Sequence, residues 1–163
     1  MTNTTKLNEK KYKNAILYFI KYCNNNYLGD TKLNKLLYYL DFINYRDRKE
    51  SVTGDFYIHN HFGPTPSEAT VFLSDLVENH DIEVKKKDFK DSHTTSFVLK
   101  TEPDESVFLE EEKILLKNIC KEFLDWSTPK IVEQTHLEAP WFYSKPFQKV
   151  DYNYSRDIEF FAE

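Results

Sequence analysis

Three histidines are the side chains of this sequence most suited to joint chemistry. His59 and His61 are two residues apart in an aromatic stretch that predicts a strand, so both rings would face the same side. With His136 they could form a three-histidine metal site, because neutral imidazole is a common zinc ligand. No acidic or cysteine ligands stand at fixed spacing beside them, which favours the alternative of edge or partly buried histidines.

A second candidate constellation surrounds His136. Thr135, His136 and Glu138 bring a hydroxyl group, an imidazole and a carboxylate close together in sequence. A histidine oriented by a glutamate could act as the general base of a hydrolase. No nucleophile elbow accompanies these residues, so we favour a structural role in which His136 ties a helix end to a neighbouring loop. We expect no enzymatic activity, no catalytic residue, no metal and no cofactor.

Two charged runs have both functional and structural interpretations. Six acidic residues between Glu102 and Glu112 could steer a basic partner, or they could be a solvated helix start, which we favour. The lysines at 85–87 could contact a phosphate, but lysines on an edge strand also prevent unwanted pairing. The net charge of −5 and the absence of a Lys/Arg-rich helix face argue against nucleic-acid binding.

Composition limits the class of protein further. The chain has 163 residues, of which 16% are aromatic and only 3 are glycine. This length predicts one domain over residues 1–163, with residues 1–10 flexible. Scarce glycine excludes a glycine-rich phosphate loop, and the aromatic content argues against disorder. The two cysteines form no paired motif and no apolar run reaches the ~18 residues of a membrane span, so we expect a cytoplasmic protein without a membrane partner.

Hydrophobic periodicity predicts the elements that must position these residues. The apolar stripe around Leu33–Leu40 covers much of its helix, which places that helix at the centre. The aromatic tail after Trp141 should pack on the body. The fold class is α+β: a mostly helical single domain with a small antiparallel sheet of about three strands. The helices are predicted at 12–23, 30–43, 66–79 and 107–124 and over a short stretch from 128. Asp30 or Thr31 is expected to cap the second of these helices. The strands are predicted at 56–61, 82–86 and 94–100.

Local signals predict several turns and helix starts. Gly63-Pro64 predicts a turn, and Thr65-Pro66-Ser67-Glu68 predicts a capping box that opens the next helix. Ser106 is expected to cap the long helix, and Ser127-Thr128-Pro129 the short one. The connection 88–92 lacks glycine, which argues against a tight two-residue turn between the last two strands.

Three segments, taken in order, resemble one known family. They are similar to an L-x-K-L-L-Y helix, to an aromatic stretch that runs into Gly-Pro, and to a T-H-x-x-x-P-W signature. The segments lie at 33–41, 56–64 and 135–141. Together they resemble the Panacea domain, the SocA-like antitoxin domain. The motif residues, for which the resemblance implies a structural or interface role, are Lys35, Leu36, Leu37, Tyr38, Gly63, Pro64, Thr135, His136, Pro140 and Trp141.

The resemblance implies a biological role rather than a reaction. Members of this family act as antitoxins that neutralise a toxin encoded beside them by direct binding. The SocA branch also delivers its toxin to a protease as an adaptor, and family members occur in phages and prophages. The implied partner is a cognate toxin, or alternatively a protease or other host protein. An aromatic-rich surface is compatible with protein binding, because aromatic residues are enriched at interface cores.

Overall fold

The computed structural model describes residues 6–89 and 92–162, and for 87–89 and 92–94 the backbone alone. Two short 3₁₀ helices, Glu105–Val107 and Tyr152–Asp157, accompany the α-helices and strands. The α-helices are α1 (Glu9–Tyr22), α2 (Asp30–Arg48), α3 (Ala69–Glu78), α4 (Glu110–Phe123), α5 (Thr128–His136) and α6 (Ala139–Phe142). The strands are β1 (Tyr57–Asn60), β2 (Gly63–Pro66), β3 (Ile82–Phe89) and β4 (Ser92–Leu99).

Helix α2 forms the centre of the fold, as its apolar circumference predicts. Every side chain from Lys35 to Asn44 is buried, and the helix contacts α1, α4, α5, β2 and the second 3₁₀ helix. The predicted cap at Asp30 or Thr31 is wrong, because Gly29 holds the N-cap position without a side-chain acceptor. The Asp30 N–H instead donates to the hydroxyl of Thr95 in β4, at 3.1 Å.

The fold class α+β, mostly helical, is confirmed, but the strands form two separate antiparallel hairpins instead of one sheet of about three strands. Gly63-Pro64 is not the turn: His61-Phe62 forms it, and Gly63 opens β2 opposite Asn60. Strands β3 and β4 pair out to Phe89 and Ser92, so two residues connect them instead of the expected five. Those two residues lie outside the described part of the chain.

Helix α3 begins at Ala69 and not at Pro66, which belongs to β2. The predicted capping box is therefore wrong, and Thr65 does not cap the helix. The Glu68 N–H, which Thr65 would accept in such a capping box, instead donates to the Asp55 carboxylate at 2.9 Å. Asp55 lies 13 residues before Glu68, so a capping motif that spans four residues cannot contain it.

The predictions for the starts of the other helices are confirmed only in part. Ser106 lies in the first 3₁₀ helix, which Asp104 caps, and α4 begins only at Glu110. The prediction for the short helix is confirmed, because the Ser127 hydroxyl accepts the Lys130 N–H at 3.3 Å. In the segment 1–10, residues 1–5 lie outside the described residues, while Asn8 caps α1 and Lys10 belongs to that helix.

The aromatic tail packs on the body only in part. Tyr152, Phe160 and neighbouring rings pack against the core. Phe142, Tyr143 and Phe147 are 64%, 63% and 80% exposed, contrary to the expectation that the tail packs as a whole. Among the described residues, no helix has the length and apolar character needed to span a bilayer.

Candidate functional site

The three motif segments, which are far apart in sequence, meet at one place in the fold. Helix α2, the first hairpin and the α5–α6 turn contact one another there. We call this place the motif junction and define it by Lys35, the Gly63-Pro64 pair, Thr135, His136 and Trp141. Their hydrogen bonds and ring contacts fix the relative positions of the three segments.

Lys35 ties α2 to the hairpin. Its side chain is 1% exposed, and its Nζ donates to the Pro64 carbonyl oxygen at 3.0 Å. Burial lowers the pKa of Lys35 to about 7, because the charged form loses its hydration. A lysine that could have been a surface charge is therefore an internal hydrogen-bond donor.

Gly63 allows the hairpin to approach both α2 and α5. Its φ is +103°, a conformation that side chains of L-residues rarely adopt. A Cβ atom at this position would lie 2.6 Å from Thr135 Oγ1 and 2.8 Å from Lys35 Cε. The first and third motifs thus pack directly against the glycine of the second.

Two histidines stack on Trp141 from opposite faces. The ring centroids of His59 and His136 lie 4.1 Å and 4.0 Å from that of Trp141, and both pairs are nearly parallel. The indole Nε1 donates to the Asn60 carbonyl oxygen at 2.9 Å, and the Nε2 of His136 donates to the His61 carbonyl oxygen at 2.9 Å. Burial lowers the pKa of both stacked histidines.

This stack does not form the proposed three-histidine arrangement, because the indole separates His59 from His136. Among residues 6–89 and 92–162, no group of three His, Cys, Asp or Glu side chains could hold a metal ion. The Nδ1 of His59 lies 2.7 Å from the Ser144 hydroxyl, which itself donates to the Trp141 carbonyl oxygen. Both stacked imidazoles are tethers: His136 joins the end of α5 to the turn of the first hairpin, and His59 joins β1 to the segment that follows α6.

Glu138 does not orient His136 as the catalytic hypothesis requires. Its carboxylate accepts the hydroxyl groups of Tyr38 and Tyr39, both at 2.9 Å, and the Gln134 amide at 3.2 Å. Burial raises the pKa of Glu138 to about 7. The Thr135 hydroxyl is also committed, because it donates to the backbone of its own helix.

The remaining motif residues belong to the interior. Leu36 and Leu37 are fully buried on α2, and Pro140 is buried in the first turn of α6. The acidic run also has internal partners: Lys11 pairs with Glu112 at 2.8 Å, and other lysines or arginines pair with Glu102, Glu110 and Glu111. This run is therefore less available to a basic partner than its sequence indicates.

Two surface cavities flank the motif junction. The smaller, about 350 Å³, is mostly apolar and includes His61, Phe62 and His136. The larger, about 900 Å³, combines aromatic and acidic side chains, and we call it the aromatic–acidic groove. Among its lining residues are Trp126, Glu138, Phe142, Tyr143, Asp157 and Glu159.

The spacing of residues in the sequence does not predict this groove. Asp157 and Glu159 come from the tail, and Trp126 precedes α5, so no local spacing brings them together. The one available signal was the T-H-x-x-x-P-W pattern itself. Its fixed positions lie in the junction or the core, and its three open positions, 137–139, all line the groove.

Comparison with known families agrees with this geometry. Residues 33–142 match the family described as antitoxin SocA-like, Panacea domain. The match covers about two thirds of the chain and includes all three motif segments. The chain therefore belongs to the SocA-like antitoxin, Panacea domain family, which confirms the resemblance. Searches of curated proteins and of solved structures gave no significant match.

Proposed function

We propose that this protein is an antitoxin that neutralises a cognate toxin by direct protein–protein binding in the cytoplasm. The observation that carries the proposal is membership of the SocA-like antitoxin family, through motifs that converge on one junction. Lys35, His136 and Trp141 of the junction all donate to backbone carbonyl oxygens of the first hairpin, which supports a binding scaffold over a catalytic centre. We propose the whole of 1–163 as one such domain.

Co-expression tests this proposal. A growth-inhibitory gene adjacent to the gene for this chain is induced in a host with and without the chain, and the chain is then purified by affinity tag. We expect growth rescue and co-purification of the toxic protein. The variant Glu78→Gln, at an exposed site on α3, should rescue growth as well as the unmodified chain does, and it serves as the control for a change in surface charge. Absence of both rescue and co-purification for every adjacent gene would contradict the proposal.

The same system separates neutralisation by binding from delivery to a protease. Binding predicts that rescue persists in a host that lacks its ATP-dependent proteases, with the toxin level unchanged. Rescue that disappears in that host, together with a toxin that is no longer degraded, would instead assign the adaptor function.

A further inference from the structure

We propose that the aromatic–acidic groove binds a lysine or arginine side chain presented by a basic segment of the partner protein. This inference rests on the proposed function and names the surface and the chemistry through which the partner would bind. It follows from the charge, the exposed rings and the shape of the groove.

Three carboxyl groups of the groove have no cationic partner among the residues that the structure describes. In the described part of the chain, no lysine or arginine forms an ion pair with Glu138, Asp157 or Glu159. The carboxylates between Glu102 and Glu112 differ, because most of them already pair with lysine or arginine. The exposed carboxylates of Asp157 and Glu159 place negative charge in a concave site, which attracts a positively charged group.

The groove also carries rings suited to a cation. Phe142 and Tyr143 are both more than half exposed. Their rings are arranged edge to face, with the ring centroids 5.2 Å apart. Trp126 already holds Lys130 over its ring, with Nζ 4.0 Å from the centroid. Aromatic faces attract ammonium and guanidinium groups, and the apolar stems of these side chains pack on the same rings.

Glu138 is the most deeply placed acid of the groove. Its side chain is only 7% exposed, and the donors from Tyr38, Tyr39 and Gln134 occupy three positions on a carboxylate that offers about four. The remaining position can accept one further hydrogen bond. A cation nearby favours the ionised form, which opposes the effect of burial on this carboxyl group.

The size and position of the groove fit a segment of a protein partner. Its volume of about 900 Å³ exceeds what one side chain fills. Its lining includes positions 137–139, which lie between the junction residues His136 and Trp141, both bonded to the first hairpin. The groove is therefore formed on a fixed turn, and a rigid site binds at lower entropic cost.

The two tryptophans provide a direct test by NMR. The indole N–H signals are followed while acetyl-Ser-Arg-Ser-amide is added, and the matching citrulline peptide serves as the neutral control. We expect a saturable shift of the Trp126 indole with a dissociation constant of about 1 mM, and a much smaller shift of Trp141, whose N–H is bonded to Asn60. Equal responses to the two peptides, or equal shifts of the two indoles, would overturn the inference.

Matched variants locate the binding site. Asp157→Asn with Glu159→Gln, and separately Phe142→Ala, should weaken the peptide at least about five-fold, because each removes part of the cation site. The controls are Glu78→Gln with Glu122→Gln, which removes the same charge elsewhere, and Phe147→Ala, which truncates another exposed tail ring. If the controls weaken binding as much as the groove variants do, the inference is overturned.

The toxin itself separates this inference from the proposed function. If the unmodified chain neutralises the toxin and the groove variants bind it equally well, the groove inference is overturned and the proposed function stands. If the groove variants lose the toxin and the controls keep it, both stand. If no toxin is neutralised, the proposed function fails, while the peptide titration still decides whether the groove binds a basic side chain.

Binding of free spermidine without binding of the peptide would overturn the assignment of the ligand as a protein segment.

Discussion

The side-chain nitrogen of Lys35 lies 3.0 Å from the carbonyl oxygen of Pro64, in the interior between α2 and β2. This bond joins the first family motif to the second, and the adjacent Gly63 has no room for a side chain against the same lysine. A lysine almost free of solvent is unusual unless it has a structural or functional reason, and here the bond to the hairpin provides one.

Replacing Lys35 by methionine should make stability depend on pH in a defined direction. Because the folded pKa of Lys35 is lowered to about 7, the wild-type advantage is complete above the unfolded value and declines as pH falls towards about 7. We expect Lys35→Met to cost ~1–3 kcal/mol at about pH 9.5, since the Pro64 carbonyl loses its donor, and less at about pH 7. Urea unfolding at both pH values measures the free energy of unfolding of the wild type and the variant. A loss of stability that is the same at both pH values would contradict the prediction.

Gly63→Ala should be strongly destabilising. The residue has φ of +103°, and the added Cβ would lie 2.6 Å from Thr135 Oγ1. Strain and overpacking together predict a loss of roughly 2–5 kcal/mol in the free energy of unfolding. In a double-mutant cycle, Thr135→Ala should recover part of that loss because it removes the closest atom. Additive effects of the two substitutions would show that the contact does not limit the hairpin.

His136→Ala should destabilise the fold by ~1–3 kcal/mol, because the His61 carbonyl loses its donor and Trp141 loses one stacked ring. His61→Ala is the matched control, since it removes a nearby exposed ring and keeps the carbonyl acceptor. Thermal unfolding and toxin binding are measured for both variants. An unchanged melting temperature with lost binding would instead assign His136 to the partner interface.

The effect of Glu138→Gln on stability should depend on pH in the opposite direction to that of Lys35→Met. The folded pKa of Glu138 is raised to about 7, so neutral Glu138 is favoured at low pH and that stability is lost as pH rises through about 7. We expect the wild type to lose roughly 2–4 kcal/mol relative to Glu138→Gln between about pH 4.5 and 8. Urea unfolding across this pH range measures the free energy of unfolding of both proteins. If the two free energies change with pH in parallel, Glu138 is not a buried carboxyl group with a raised pKa.

Much of the helical fold could be predicted from the sequence, because apolar spacing reports directly on buried faces. The stripe of α2 predicted its central position, and Ser127 before Pro129 predicted the start of α5. The start of α3 could not be predicted, because Asp55, which accepts the N–H of the residue before the helix, lies across the first hairpin. Local patterns predicted the strands of the second hairpin but not its short connection. They did not predict the first hairpin, because Gly63-Pro64 has the composition of a turn and instead begins β2, which packs against α2.

The motif residues of the site could be named from sequence, but their partners could not. Tyr38 and Glu138 are 100 residues apart, and the contact follows only from the packing of α5, which Glu138 follows, against α2. His59 was predicted as a possible ligand because its residue type suits a metal, whereas its ring covers a face of Trp141. Residue type indicates what a side chain can do, while its neighbours decide what it does.

Titration calorimetry of the purified chain against the growth-inhibitory protein encoded beside it is the decisive test of antitoxin function by direct binding. We predict a saturable complex with a dissociation constant of about 1 μM or tighter, and rescue of growth by the same pair. A toxic neighbour that the chain neither binds nor neutralises would contradict the assignment of this protein as an antitoxin that acts by direct binding.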